Sequence, residues 1–303
     1  MDFKYKCYLQ RVFSAIPNGE KLNYIFQKNI TKRLPRPDKI FNRKIDNALS
    51  HYENYKVFNR LKDSPDIRQY YEFGAGWDLI IPLSIAQLGF EVTCIDIRKL
   101  LMPELILNTI LRLNAYKNEA NDPISAEVSD KSDETLLKYM KDNFNLNYFA
   151  PKDARDTGFA SDSFDFISSS NTFEHIPKKD IYAILLESYR ILKVGGVFSM
   201  RIDYQDHWSY FDKNISAYNY LKYSSEEWRK YNPSLHYQNR LRHSDYMGLI
   251  SQTDFKVVKE TPRYPTNSDL EVLNRLDIDE EFSSYDKNDL GIRGSEIVLL
   301  KQS

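Results

Sequence analysis

The sequence predicts an α/β protein with a doubly wound, mostly parallel sheet, and three observations carry this. The first is Tyr70–Arg98, which reads as strand, glycine turn, helix, strand and acidic residue. Tyr70–Phe73 is a short aromatic run that halts at a glycine, as a buried strand does. Gly74-Ala75-Gly76 lets the backbone turn sharply and approach a ligand. Asp78–Leu88 then carries apolar residues at 79, 80, 83, 85, 86 and 88, a helix packed on a sheet, with Gly89 as its C-cap. Glu91–Ile97 alternates and is β-branched, and it ends at Asp96, twenty positions beyond Gly76. An acid at that spacing is placed to accept hydrogen bonds from ribose hydroxyls. The second observation is that strand-like and helical runs keep alternating afterwards: Asn145–Ala150, the amphipathic Lys178–Leu192 (Ile181, Leu185, Tyr189, Leu192), then Val197–Ile202. The third is composition. The chain has 303 residues, 42% hydrophobic and 28% charged, and a formal net charge of -1. That is long enough for a sizeable core and too balanced for a general polyanion binder.

Glycine spacing decides which nucleoside the βαβ unit suits. A dinucleotide fingerprint would need glycine or alanine at position 79, where this chain has Leu79, and Asp78 adds negative charge where a pyrophosphate would sit. Glu72-Phe73-Gly74-Ala75-Gly76 instead resembles motif I of the class I S-adenosylmethionine-dependent methyltransferases, although the third glycine of their fuller pattern is Asp78 here. Three further segments resemble that family in the right order: Lys152–Arg155 with Gly158–Ile167, then Ser170–Ile176, then Tyr189–Phe198. The resemblance is close over about residues 66–203 and looser over 243–301. It implies a seven-stranded Rossmann-like sheet whose last strand runs antiparallel beside strand six. It also implies S-adenosyl-L-methionine as cofactor and S-adenosyl-L-homocysteine as product, held by Glu72, Phe73, Gly74, Ala75, Gly76, Asp96, Ile97, Asp153, Ala154 and Asn171.

Two cysteines, Cys7 and Cys94, lack paired-ligand spacing, so neither a disulfide framework nor a metal site is expected. No apolar run reaches the length of a membrane span, and the expected location is cytoplasmic. Residues 1–65 read as a helical N-terminal cap. Tyr8, Val12, Phe13 and Ile16 form one stripe and Leu22, Ile25 and Phe26 another, with Pro17-Asn18-Gly19 between. This segment holds 14 Lys/Arg against 6 Asp/Glu, Lys32, Arg33 and Arg36 among them. The charge either attracts an acidic substrate or is balanced elsewhere in the fold.

The remaining 66–303 form the cofactor-binding domain. Lys99–Tyr116 is a long helix, and 121–142 is a polar elaboration with a surface helix. After strand five the chain carries Asp203-Tyr204-Gln205-Asp206-His207-Trp208 and an aromatic, lid-like insert, about 204–242. Ser244–Ser251 is the next helix, Phe255–Glu260 strand six, Ser268–Leu276 and Asp279–Ser284 short helices, and Glu296–Lys301 the last strand. Aromatic faces with interleaved Arg and Asn suit sugars or flat polar ligands, or else pack on the cap. Asp206, Trp208, Tyr210 and Arg240 are the substrate-binding candidates.

A sulfonium methyl is already activated, so the protein must align an acceptor, exclude water and, for a hydroxyl, remove one proton. His207 is the first candidate base because strand five delivers it to the ligand edge, with Asp203 or Asp206 orienting it; His175 is the second. His236 and His243 are insert candidates, and His51 has no supporting context. The expected activity is O-methylation of a small-molecule or saccharide acceptor, anionic ones included. Motif I, the Asp-His-Trp loop and Asn239–Arg242 loosely resemble methyltransferases from bacterial surface-polysaccharide (capsule) biosynthesis clusters, which decorate sugars or their phosphoramidate substituents. N-methylation of a small molecule or amino sugar, and a non-catalytic binding protein, stay open. Neither nucleic acid nor membrane is an expected partner: the segment after strand four lacks the motifs of base methylation, and no basic groove is concentrated beyond the first segment.

Overall fold

The computed structural model describes residues 2–17, 19–30, 32–61, 68–116 and 132–302. One seven-stranded sheet runs in the order β3-β2-β1-β4-β5-β7-β6. Its strands are β1 (Gln69–Phe73), β2 (Glu91–Ile95), β3 (Leu146–Phe149), β4 (Phe164–Ser170), β5 (Leu192–Asp203), β6 (Phe255–Pro262) and β7 (Gly294–Lys301). β1 to β5 pair in parallel, and β7 runs antiparallel between β5 and β6. Period-two alternation sends neighbouring side chains to opposite faces. Tyr70 accordingly enters one core cluster, while Tyr71 and Phe73 enter the other.

The first face is covered by α3 (Asp38–Phe58), α4 (Ile80–Ala86), α5 (Pro103–Tyr116) and α6 (Asp133–Phe144). α3 buries Phe41, Ile45, Ala48 and Tyr55 there, and Tyr55 stacks on Phe166 with ring centroids 5.0 Å apart. α7 (Lys178–Ile191) and α8 (His243–Ile250) cover the second face through Ile181, Leu185, Tyr246 and Ile250. Helix α4 starts two residues later than its apolar pattern suggests, because Leu79 adopts a left-handed conformation with φ 46° and the motif I turn extends to it. The 121–142 elaboration lies partly outside the described residues; within them, α6 buries Leu136, Tyr139 and Met140. The expected helix at 279–284 is a single 3-10 turn, Glu280–Phe282.

A third cluster lies beyond the sheet edge. It joins Phe3 and Cys7 of α1 (Phe3–Ala15) to Trp208, Tyr218, Tyr220, Leu221 and Trp228 of the insert, and to Leu273, Phe282 and Leu290. This corrects the expected packing of α1. Its buried face is Phe3, Lys6, Cys7 and Gln10, while Tyr8, Val12 and Ile16 are exposed. Insert docking selects that face: the Phe3 amide donates to Asp212 (3.0 Å), the Cys7 thiol to the Lys230 carbonyl (3.3 Å), and the Lys6 ammonium sits 2.8 Å from the Phe211 ring centre. α2 (Gly19–Asn29) leans the other way, with Tyr24 edge-on to Trp77 and Lys28 paired to Glu104. Leu22 and Ile25 on α2 are exposed, again against the expected stripe, and Phe26 packs on Phe13.

Much of the segment's positive charge is answered within the fold. Arg36 and Lys44 both pair with Asp78 of the motif I turn, at 3.3 and 2.7 Å. That buried carboxylate, which burial alone would raise, is held below its usual range by these two cations. His51 also has a role that its sequence context did not reveal. Its ring is fully buried between Ser199 and Ser170, 2.7 Å from each hydroxyl, and burial lowers it to about 3, so it is neutral.

Candidate active site

Parallel strands present their carboxyl ends at one edge of the sheet, and the order reverses between β1 and β4, where a doubly wound sheet opens its ligand crevice. Motif I leaves β1 at this point. Gly74 has φ +71°, and a Cβ there would stand 2.3 Å from Thr172 Cγ2, so glycine is needed for close packing of two loops. Gly76 has φ +77°, and a Cβ would meet nothing within 4 Å. The turn is thus open at Gly76 and closed by protein at Gly74. The Gly76 amide donates to Asp96 Oδ2 (3.3 Å), as does the Tyr148 hydroxyl (3.0 Å). Both bonds fall on one oxygen, which leaves Oδ1 for ribose hydroxyls. Ile97 follows with 60% of its surface exposed, an apolar face beside the acid. Lys152 donates its amide to the Asp96 carbonyl (2.9 Å), which brings Asp153 and Ala154 alongside. Asp153 is held by Arg155, which also pairs with Asp180. Asn171, left-handed at φ 51° and exposed, tops β4. The Phe73 side chain is core, and Glu72 accepts from Tyr70 (2.6 Å) within the sheet, so each of these two can reach the crevice only through its backbone or after rearrangement.

A second cluster of polar side chains lies at the carboxyl ends of β4 and β5. His175 and His207 have ring centroids 4.9 Å apart. His175 is exposed although protein surrounds it closely, so it lines a recess; burial, with His207 nearby, lowers it to about 4. Asp203 Oδ2 stands 3.6 Å from His207 Nε2. Burial would raise Asp203, but contacts from His207, Tyr210 and the Gln205 amide prevail and hold it down at about 2. Tyr210 is 47% exposed with its hydroxyl on Asp203, and it remains able to meet a substrate. Glu174, unassigned by motif reasoning, sits beside the two imidazoles. Its adjacency to His175 was the available signal.

Three sequence candidates are corrected. Asp206, fully buried, bonds Asn219 (3.0 Å) and the Trp208 amide (2.8 Å), and it is Asp203 that faces His207. Trp208 is 1% exposed and donates its indole to the Tyr231 carbonyl. Arg240 binds Tyr220, Tyr223, Ser225 and Glu281. All three are internal struts of the insert, occupied by protein. His243 is likewise structural, between Tyr204 and Glu260, and His236 packs against Trp208 in a tilted arrangement with centroids 4.3 Å apart. The insert also fastens the site. The Gln238 amide group bridges the Gln205 carbonyl and the His207 amide, and Asn239 donates to Glu174, Phe173 and Ile176 carbonyls.

A family model described as "Methyltransferase domain" matches residues 115–200. No curated protein sequence matches the chain. Similar solved structures include a Pyrococcus horikoshii protein (14% identity, 91% of this chain and 98% of that one, TM-score 0.49). A Methanosarcina mazei S-adenosylmethionine-dependent methyltransferase is 17% identical over 80% of this chain and 99% of that one, with TM-score 0.42. A Haemonchus contortus phosphoethanolamine N-methyltransferase, solved with S-adenosylhomocysteine, is 15% identical over 85% of this chain and 53% of that one, with TM-score 0.43. The strand order, the glycine turn closed by Asp96 and the domain match define a Rossmann-like methyltransferase. Its fold is that of the class I methyltransferases, and residues 115–200 match a methyltransferase domain.

Asp96 supplies a pH test. Burial pushes it up to about 7, against the lowering from Tyr148, Gly76 and Arg98, while Glu20 adds to the rise. A ribose hydroxyl donates best to the ionised form. Affinity for S-adenosylhomocysteine should therefore rise as pH goes from about 6 to about 8, the window in which Asp96 ionises. Glu72, raised to about 8 by burial, titrates nearby, so Asp96→Asn is the control and should flatten the curve. Asp96→Ala should weaken both cofactor forms by about 1.5–3 kcal/mol, the worth of hydrogen bonds to a charged group. Calorimetry at several pH values decides; a flat wild-type profile would refute the assignment.

Proposed function

We propose that the protein transfers the methyl group of S-adenosylmethionine to an oxygen of a small-molecule or saccharide acceptor, of the kind used as a surface-polysaccharide precursor. The observation carrying this reading is the His175–His207 pair with ionised Asp203 at the carboxyl ends of β4 and β5, next to the Gly76–Asp96 crevice. The residues fit the cofactor: an open space over Gly76, one Asp96 oxygen unclaimed, and an exposed apolar neighbour in Ile97. S-adenosylmethionine supplies an activated methyl group on its sulfonium. The chain's own work is to bind and orient the acceptor, to keep water out and to take a proton from a hydroxyl. His207, steadied by Asp203, is suited to hold that proton, and Tyr210 to orient the acceptor. α1 and α2 touch the insert and the motif I loop respectively, which suits exclusion of water over the cleft.

An anionic acceptor, phosphate or phosphoramidate, is supported by cations near Tyr210. Arg33 donates to its carbonyl (3.0 Å), and Arg263 lies within electrostatic reach. Incubation with methyl-labelled cofactor against sugar nucleotides, phosphorylated intermediates and amino sugars tests the reading. Labelled O-methyl product from a sugar or phosphorylated compound is expected, identified by NMR of the methyl carbon. Exclusive N-methylation of the amines would overturn it.

A further inference from the structure

The turn after β4 holds a group that methyl transfer does not account for. Glu174 is 2% exposed, and among the described residues neither carboxylate oxygen has a well-formed hydrogen bond; only its own and the Asp203 backbone amides lie near enough to offset part of the cost of burial. A buried carboxylate without partners is strongly disfavoured. Protonation does not resolve the problem, because a neutral carboxyl would still bury an unpaired O–H and an unpaired carbonyl. His207 Nε2 is also buried without a hydrogen bond, since Asp203 stands beyond bonding length at 3.6 Å. These unpartnered groups converge. Glu174, His175 and His207 each offer one ligand atom, all within 4.8 Å of one another. Donors on a common tetrahedral ion lie roughly 3–4 Å apart, so the set needs only a modest closure.

The fold already orients His175. His175 Nδ1 is 2.6 Å from the Tyr237 carbonyl, which can only accept, so Nδ1 carries the proton and Nε2 keeps its lone pair. Ligating histidines are oriented in this way. The carbonyl belongs to the insert arm that Asn239 fastens to the same turn through the Glu174, Phe173 and Ile176 carbonyls. Asp203 contributes a further negative charge at the border, which gives the pocket two carboxylates for a doubly charged ion.

We infer that Glu174, His175 and His207 form a binding site for a first-row divalent transition-metal ion of the manganese-to-zinc series. Two imidazoles and one carboxylate suit these ions, whereas magnesium and calcium prefer all-oxygen sets. Three protein ligands leave coordination positions open toward the cleft, as in sites that engage a substrate oxygen. Resting on the methyltransferase reading, the ion would hold the acceptor oxygen at the methyl-donor end and favour its ionised form, with His207 acting as a ligand.

The test is Co2+ titration of the full chain after chelator treatment, followed by visible absorption, with Zn2+ and Mn2+ as competitors and S-adenosylhomocysteine binding as the check of folding. One Co2+ per chain is expected, with ligand-field bands that Zn2+ abolishes. Glu174→Gln and His207→Asn should each weaken Co2+ at least tenfold and keep cofactor binding; Asp277→Asn, an exposed carboxylate elsewhere, should change neither. If one ligand variant fails to fold, the other decides. Cofactor binding without uptake of any of the three ions overturns the metal site and leaves the methyltransferase reading intact. Co2+ binding unaltered in both ligand variants overturns it too. Metal uptake without cofactor binding upholds the site and sinks the methyltransferase reading.

Discussion

His207→Ala should lower turnover by about 10²–10⁴-fold, the usual contribution of a positioned general base. Its imidazole lies on the loop that leaves β5, while the groups proposed to hold the cofactor, Gly76 and Asp96, follow β1 and β2. Affinity for S-adenosylhomocysteine should consequently stay within a few-fold of wild type. Saturating-substrate kinetics with calorimetry on the same preparation measure both quantities. Retention of more than about a tenth of wild-type turnover would remove His207 from the chemistry. The loss alone does not separate a base from a metal ligand. Co2+ binding does: a base leaves it intact on substitution, and a ligand does not.

The second large effect is on stability. Arg242 has no exposed surface, and it donates to the Tyr204 (3.0 Å), Leu290 (2.9 Å) and Ile292 (2.6 Å) carbonyls and to the Tyr220 hydroxyl. It thereby ties the end of β5 to the insert and to the segment that enters β7. Arg242→Ala leaves the Leu290 and Ile292 carbonyls without their donor, each worth about 1–3 kcal/mol when stranded, while the Tyr204 carbonyl keeps the Tyr220 hydroxyl. The expected loss is on the order of 2–5 kcal/mol, from the stranded carbonyls and the cavity that the side chain leaves. Urea unfolding monitored by tryptophan fluorescence should show a clearly lower midpoint. A change under about 1 kcal/mol would mean that water or a rearranged loop replaces the guanidinium. Excision of 209–240 follows the same logic. It would remove the third core along with Gln238 and Asn239, so loss of folding is expected, whereas a dispensable flap would leave cofactor binding intact.

Local pattern was enough for the cofactor half of the protein. β1, the glycine turn, α4, β2 and Asp96 follow one another within thirty residues, and each is set by its own periodicity or by a backbone conformation that glycine favours. The motif order extended this to β4, α7 and β5, and the antiparallel last strand was found where the family pattern put it. The acceptor half was less legible. Period counting put Tyr8, Val12 and Ile16 inward, but an amphipathic pattern records only which residues could be buried, and docking of the insert chose the Phe3–Cys7 face. Core packing and sugar recognition use the same aromatic and arginine side chains, so composition could not divide Trp208 and Arg240 from Tyr210. The tertiary structure divided them by exposure: Trp208 and Arg240 are buried within the insert, whereas Tyr210, its hydroxyl also bonded, is 47% exposed.

Sequence alone therefore determined the sheet, its glycine turn and the placing of His175 and His207 beyond the carboxyl ends of β4 and β5, because those depend on short-range spacing and on where parallel strands end. Only the tertiary structure decided that the two imidazoles meet at 4.9 Å, that Asp203 and not Asp206 faces them, and that Glu174 joins them unpartnered. These groups come from neighbouring strands that are distant in the chain, and their separation is fixed by sheet pairing and by the Asn239 arm, long-range contacts that no local pattern encodes.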